Sequence, residues 1–164
     1  MKKKYSIRDA TPGDLESIID LDEVGSAEAK PEYWQGIFSR FVETEREDRL
    51  FLVAEINNRV IGFIAGEIRA WEFGSSPCGW VFALTVSQDV REMNIGRSLF
   101  YELTARMKRL DISIVRTMAD IDNRLTLSFF RSMGLRTGKY IELEKKLDEP
   151  EGLTRINFQD SEVL

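Results

Sequence analysis

The sequence predicts one α/β (α+β) domain: a mixed sheet of six to seven strands with about four helices, in the order β-α-α-β-β-β-α-β-α-β-(β). Three observations carry this. Apolar residues recur at helical spacing in some segments and in strand-like runs in others. Only Asn57-Asn58 separates two of the strand-like runs, which marks a hairpin and an antiparallel start to the sheet. Later strands alternate with helices, the pattern of crossovers to parallel neighbours. The chain of 164 residues can bury one core without metal or disulfides, and it holds no repeat or low-complexity linker. A single domain is expected over 1–147, with 148–164 as a C-terminal tail or extra strand.

"YSIR" (Tyr5 to Arg8) reads as the first strand. Thr11-Pro12-Gly13-Asp14 reads as a helix N-cap followed by proline at the first helical position, with Leu15, Ile18 and Ile19 as the apolar stripe behind it. Tyr33, Trp34, Ile37, Phe38, Phe41 and Val42 keep helical spacing in a second helix. "LFLVAEI" (Leu50 to Ile56) and "RVIGFIAGEIRAW" (Arg59 to Trp71) form the hairpin. "GWVFALTV" (Gly79 to Val86) is apolar enough to be covered on both faces. Leu99, Leu103, Met107 and Leu110 mark a helix from about Gly96, and "SIVRTM" (Ser113 to Met118) is the next strand. Leu125, Phe129, Phe130 and Met133 mark a further helix that Gly134 stops. "LRTGKYIELEKKL" (Leu135 to Leu147) alternates as a strand would, and "LTRINF" (Leu153 to Phe158) is the last candidate.

Composition narrows the chemistry. Histidine is absent and Cys78 is the only cysteine, which excludes disulfide frameworks, Cys/His zinc sites and histidine-based triads. No metal is expected. Lys plus Arg number 23 against 28 Asp plus Glu, a balance that opposes nonspecific nucleic-acid binding and leans toward cationic partners. No apolar run is long enough to span a membrane, and "MKKKYSIRDATPGDLES" does not read as a signal peptide. The expectation is a cytoplasmic protein without nucleic-acid or membrane partners.

The informative stretch is "VSQDVREMNIGRSLF", Val86 to Phe100. A strand ending at Val86 and a helix starting near Gly96 leave a loop whose last residues offer free N–H groups and the positive end of a helix dipole, a seat for phosphate. Glycine at 96 admits close approach to the backbone, and asparagine at 94 stands in well for glycine where φ is positive. Arg91 and Arg97 add formal charge. Neither a G-x-x-x-x-G-K-[ST] loop nor an N-terminal G-x-G-x-x-G is present.

This stretch resembles the acetyl-CoA-binding segment of the GNAT superfamily of N-acetyltransferases, with Arg91, Asn94 and Gly96 at the arginine and two glycine positions of its R/Q-x-x-G-x-G/A loop. "NRLTLSFFRSMGL" resembles the family's second block through Asn123, Phe129, Gly134 and Leu135. Together with the element order, the resemblance covers Tyr5 to Leu147. It implies acetyl-CoA or coenzyme A as cosubstrate: its diphosphate on the loop Arg91, Glu92, Met93, Asn94, Ile95, Gly96 and Arg97, and its pantetheine arm along the backbone of Leu84, Thr85 and Val86 like an added strand. A main-chain N–H there would polarise the thioester carbonyl. Asn123 is then either a pantetheine neighbour or a helix N-cap.

The departures bear on catalysis. Asn94 puts a side chain where the family has bare backbone, which either weakens binding or adds a hydrogen bond. Phe130 occupies the position where many members carry a tyrosine acid for the departing thiolate, and phenyl cannot donate a proton. A primary amine of pKa near 10.4 is neutral in on the order of one molecule per thousand at pH 7, so attack needs a proton outlet. Members often place that base on the strand corresponding to Trp80–Val86, which lacks an acid here, and the position five residues before Asn123 is Met118. The remaining candidates are Glu67, Glu72, Asp120 and Asp122, with Glu67 favoured as base against the alternative of an ordinary sheet-face carboxylate. Tyr140 is the candidate replacement acid or a structural tyrosine. Tyr33, Trp34, Phe38 and Phe41 on the second helix, with Trp71, Phe73 and Trp80, are core residues or acceptor-wall candidates.

The resemblance therefore implies an N-acetyltransferase with a ternary complex and an amine-bearing acceptor, either a small molecule or a protein N-terminus or lysine. The alternatives are a non-catalytic acyl-CoA-binding or regulatory module on the same fold, and a structural protein that binds no coenzyme A. A homodimer is also expected.

Overall fold

The structure, a computed structural model, describes residues 4–148. Strand β1 (Ser6–Asp9) runs through a 3₁₀ turn (Pro12–Asp14) into helix α1 (Leu15–Ser26), followed by α2 (Pro31–Phe41). Strands β2 (Arg49–Ile56) and β3 (Arg59–Arg69) form the expected hairpin, with Asn57 and Asn58 at φ 49° and 63°. Then come β4 (Cys78–Val86), α3 (Ile95–Arg109), β5 (Val115–Thr117) and α4 (Arg124–Ser132). The five strands lie side by side in chain order, all antiparallel except β4–β5, which is parallel because α3 crosses between them.

Alternation along β2 divides the core. Phe51 and Val53 face α1 and α2, where Ile18, Trp34, Ile37, Phe38 and Phe41 close over them. Leu52 and Ala54 face α3, whose Leu99, Leu103 and Met107 stack on Ile61, Ile64 and Val81. Each Val, Leu, Ile, Phe or Met side chain among these is worth about 1.5–3 kcal/mol when fully buried. The two layers thus fix the sheet from both faces.

The mixed α/β class holds, with five strands in place of the expected six or seven. No strand is present at Leu135–Leu147 among the described residues. Ile141, Leu143 and Leu147 are 78%, 86% and 89% exposed, so the alternation expected to make a strand has no core to face. A strand needs a neighbour to supply its ladder, and the adjacent edge, β5, is three residues long. The segment is held instead by α4's end, where Gly134 at φ 94° turns the chain and the Leu135 N–H returns to the Phe130 carbonyl at 3.2 Å. The last candidate, Leu153–Phe158, lies outside the described residues.

Candidate functional site

The pairing of β4 with β5 stops early. Gly79, Trp80 and Val81 stand opposite Val115, Arg116 and Thr117, and no pair follows. The last tie is a side chain: the Thr117 hydroxyl donates to the Val81 carbonyl oxygen at 2.8 Å. Past this point β4 continues beside β3 to Val86 while β5 ends, so the two strands fork.

A bulge decides what faces the fork. Ala65 pairs with Ala83 and Gly66 with Val81, leaving Phe82 as an extra residue in β4. Before it, the Gly79 N–H donates to the Ile114 carbonyl at 2.8 Å and the Val81 carbonyl meets Thr117, so odd-numbered residues aim at β5. After it, the Ser87 N–H donates to Ile61 on β3 at 2.8 Å, and a Cβ on Gly62 would sit 3.0 Å from the Thr85 carbonyl oxygen. Odd-numbered residues now aim at β3. Leu84 and Val86 must therefore turn their N–H and C=O groups into the opening that β5 leaves.

The fork leads to the loop singled out in the sequence. Gln88–Met93 forms a 3₁₀ segment, and Asn94 precedes α3 at φ 57°, ψ 25° without its side chain capping the helix. The first bond of α3 runs from Ser98 N–H to the Asn94 carbonyl at 3.1 Å. Among the described residues nothing accepts from the N–H groups of Ile95, Gly96 and Arg97, which the helix itself cannot satisfy. Arg91, Glu92 and Asn94 are exposed, and Met93 is half-buried. Arg97 is committed within the protein, donating to Ser132 Oγ at 3.1 Å and Tyr101 Oη at 3.4 Å. Asp89, at the start of the loop, is held below the usual carboxylate range by the Ser87 hydroxyl, with a smaller contribution from Arg59.

Gly96 differs from expectation in its reason. A Cβ there would meet the Phe129 ring at 3.3 Å and Val86 Cγ2 at 3.6 Å, so the close approach it permits is that of α4 and β4. Asn123 takes the capping alternative: its Oδ1 accepts from Thr126 N–H at 3.0 Å at the start of α4. Phe130 is buried between Phe100 and Phe129, with ring centroids at 6.2 and 5.3 Å.

The other candidates divide between core and surface. Trp34, Phe38 and Phe41 are buried in the core, and Trp34 also donates to Asp22 at 2.9 Å, whereas Tyr33, Trp71 and Phe73 are exposed. Asp120 and Asp122 are exposed, with Asp120 accepting from the Asp122 N–H, and Met118 is 63% exposed. Glu67 lies opposite Trp80 on the sheet face toward α1 and α2, its carboxylate accepting from Arg69 Nε at 3.1 Å. Arg69 lies over the Trp80 ring at 4.5 Å and approaches Glu72 at 4.0 Å. Tyr140 is 44% exposed, between the Arg116 guanidinium at 4.8 Å and the Lys139 ammonium at 5.2 Å. Sequence reasoning did not single out Thr117, Arg69 or Arg116. An arginine inside the apolar run "SIVRTM" was the available signal.

A cavity of about 650 Å³ lies elsewhere, between the end of α3 and the start of β5, lined by Tyr101, Lys108, Asp111 and Ile114 among others. It contains none of the expected site residues. Among the described residues there is no group of three or more Asp, Glu, Cys or His able to hold a metal ion, and no helix is long and apolar enough to cross a membrane.

The parallel pair that forks beside the helix entrance lies within residues 15–135, which match the model of the acetyltransferase (GNAT) family. The chain belongs to the GNAT acetyltransferase family. Within it, the chain is similar to an N-alpha-acetyltransferase of Sulfurisphaera tokodaii, 26% identical over 148 residues that cover 85% of this chain and 84% of that one. The fold is shared with the aminoglycoside 6'-N-acetyltransferase AAC(6')-Ih of Acinetobacter baumannii, with a TM-score of 0.75, 17% identity, and 87% and 98% of the two chains covered. It is shared equally with AAC(6')-Iy solved with a bisubstrate analog, CoA-S-monomethyl-acetylneamine, at a TM-score of 0.75, 14% identity, and 87% and 98% coverage. The fork and helix entrance of this GNAT chain fall within the matched residues.

Proposed function

We propose that this chain is an N-acetyltransferase that moves an acetyl group from acetyl-CoA to a primary amine by direct attack in a ternary complex. The observation that carries the reading is the fork, where Leu84 and Val86 offer backbone groups that β5 leaves unpaired among the described residues, leading to the entrance of α3 that no side chain caps. A slender amide-bearing arm fits the opening as an added strand. The N–H groups of the partly exposed Gly96 and Arg97, the dipole of α3 and the exposed Arg91 suit its diphosphate, with the buried Ile95 anchoring the entrance beneath them. The loop Glu92, Met93 and Asn94 and the edge residue Thr85 complete this binding surface. Asn123 and Phe130 act one step back, capping and packing α4 against it. In the reaction the amine nitrogen bonds the acetyl carbon, the carbon–sulfur bond breaks, and the proton lost by the amine balances the thiolate.

Glu67 is the proposed proton acceptor, one register position short of the fork, and Tyr140 the proposed donor. Glu67→Gln should lower kcat by roughly 10² to 10⁴ with the affinity for coenzyme A unchanged. A loss under twofold would make Glu67 an ordinary surface carboxylate. A second reading, a CoA-binding module without turnover, is favoured by the buried phenyl of Phe130 and by the engagement of Glu67 with Arg69. The deciding experiment follows thiol release from acetyl-CoA over an amine panel, beside thermal stabilisation by coenzyme A, which at 100 times its Kd adds about 2.7 kcal/mol. Stabilisation without amine-dependent release selects the module, and neither effect removes coenzyme A from the account.

We also place a homodimer in this reading, because among the described residues β5 is a sheet edge with one neighbour, and Ile141, Leu143 and Leu147 further along the chain are exposed. The reaction as proposed needs no metal, nucleic acid or membrane, and the cytoplasm would supply acetyl-CoA.

A further inference from the structure

Among the described residues, half of the partly buried arginines are paired with carboxylates: Arg8 with Asp14 and Glu55, Arg106 with Asp9 and Glu102, and Arg69 with Glu67. Arg49 and Arg97 are not, but Arg49 donates to the Arg40 carbonyl beside the Phe41 ring and Arg97 spends both terminal nitrogens on Tyr101 and Ser132. Arg116 is half-buried in the middle of β5, yet among the described residues no carboxylate pairs with it. Its Nη1 is pinned, donating to the buried Ser75 Oγ at 2.7 Å and to Cys78 Sγ at 3.4 Å, and the Tyr140 ring covers the guanidinium at 4.8 Å. Among the described residues Nε and Nη2 make no hydrogen bond. A guanidinium held at one nitrogen and stacked on a ring, with its Nε–Nη2 edge unused, is preorganised for two parallel bonds to a carboxylate.

Its position gives that edge a purpose. Arg116 stands opposite Trp80, one pair before the fork at Val81 and Thr117, a rise of about 3.3 Å along the strand. Trp80 shares its sheet face with Phe82, which packs on Phe41 of α2. The opposite face is sealed here, because a Cβ on Gly79 or Gly66 would run into Met107 of α3. On the Arg116 face, by contrast, Glu67, Trp80 and Arg116 are each partly exposed, which makes this the side from which an acceptor approaches the fork.

We infer that Arg116 is the anion-recognising residue of the acceptor site, so that the acceptor carries a carboxylate in addition to its reacting amine. This rests on the acetyltransferase reading above. It also reverses the lean toward cationic partners that net charge suggests, since Glu67 and Glu72 are both engaged by Arg69 on this face.

The test titrates CoA-saturated protein by calorimetry with free-amine tetrapeptides bearing glutamate or glutamine at the second position, and with alanine against alaninamide. In at least one pair the carboxylate member should bind roughly tenfold to hundredfold more tightly. Arg116→Gln should erase the difference, and Arg116→Lys should keep part of it, while the affinity for coenzyme A stays constant. Equal affinities within both pairs, no binding of any member, or a preference that survives Arg116→Gln would overturn the inference. Thermal denaturation of each variant checks folding. Should Arg116→Gln not fold, Arg116→Lys decides, because a point charge without the planar fork must weaken the preference. Acetyl transfer from acetyl-CoA to the same probes is followed in parallel. Carboxylate preference without transfer removes the enzyme reading and leaves the anion site, and transfer without preference does the reverse.

Discussion

Asn94 shows how one residue type reconciles a helix entrance with a bent approach. Its left-handed backbone, φ 57°, lets the chain leave the 3₁₀ segment and enter α3 with three N–H groups that find no acceptor among the described residues. Asparagine tolerates this region, whereas a β-branched side chain is strained in it by about 1–2 kcal/mol. Asn94→Val should therefore lower Tm by several degrees and weaken coenzyme A binding, whereas Asn94→Gly should leave Tm within about two degrees of the parent. Calorimetric scans with and without coenzyme A check both. An undiminished Tm in Asn94→Val would show that the entrance does not depend on this backbone state. Phe130 makes the complementary point, because its place between Phe100 and Phe129 accounts for a phenyl ring without any catalytic role.

At the scale of elements, the joints between β1, α1 and β2 rest on one charged cluster. Arg8 donates to Asp14 at 2.7 and 2.9 Å and to Glu55 at 2.9 and 3.0 Å, while Asp14 also accepts from Thr11 N–H at 2.8 Å. Burial alone would push the Asp14 carboxyl up, but the Arg8 bonds, followed by that of Thr11, outweigh it and hold the group below its ordinary 3.8. A carboxylate depressed in the folded state stabilises the fold above its unfolded value and loses that contribution as pH falls through the folded one. The stabilisation should be complete above about pH 5 and decline below about pH 4. Asp14→Asn should cost about 2 kcal/mol at pH 7 and flatten the acid limb of a stability–pH curve measured by urea unfolding. An acid limb parallel to that of the parent would count against the cluster. The seam between α3 and β4 depends on shape instead. Gly79 leaves room for Met107, so Gly79→Val should cost about 1–3 kcal/mol, checked by the urea midpoint.

Over the described residues the molecule is a sheet covered by helices on both faces, with β1 and β5 as its two edge strands. Among those residues β5 has β4 as its one neighbour, and the alternating residues Tyr140 to Leu147 lie outside the ladder. If this edge is where two copies meet, light scattering should show mass rising toward that of two chains with concentration, and the double variant Ile141→Glu, Leu143→Glu should return it to one. The mass of a single chain at every concentration would refute the dimer.

Much of this fold was legible along the chain because its signals are local. The Asn57-Asn58 turn, the stripes of α2 and α3, the proline opening the 3₁₀ turn before α1 and the glycine closing α4 each act within a few residues. That Arg91–Arg97 leads into a helix was legible for the same reason, since a helix entrance is set within a few residues. The segment Leu135–Leu147 was misread because alternation describes the strand and says nothing of the neighbour it requires. Tertiary structure alone decided where β4 and β5 part, that the Phe82 bulge turns Leu84 and Val86 toward the gap, and that Arg116 has, among the described residues, no partner for its Nε–Nη2 edge beside it. These follow from register between strands tens of residues apart, and register is set by packing on both faces of the sheet at once.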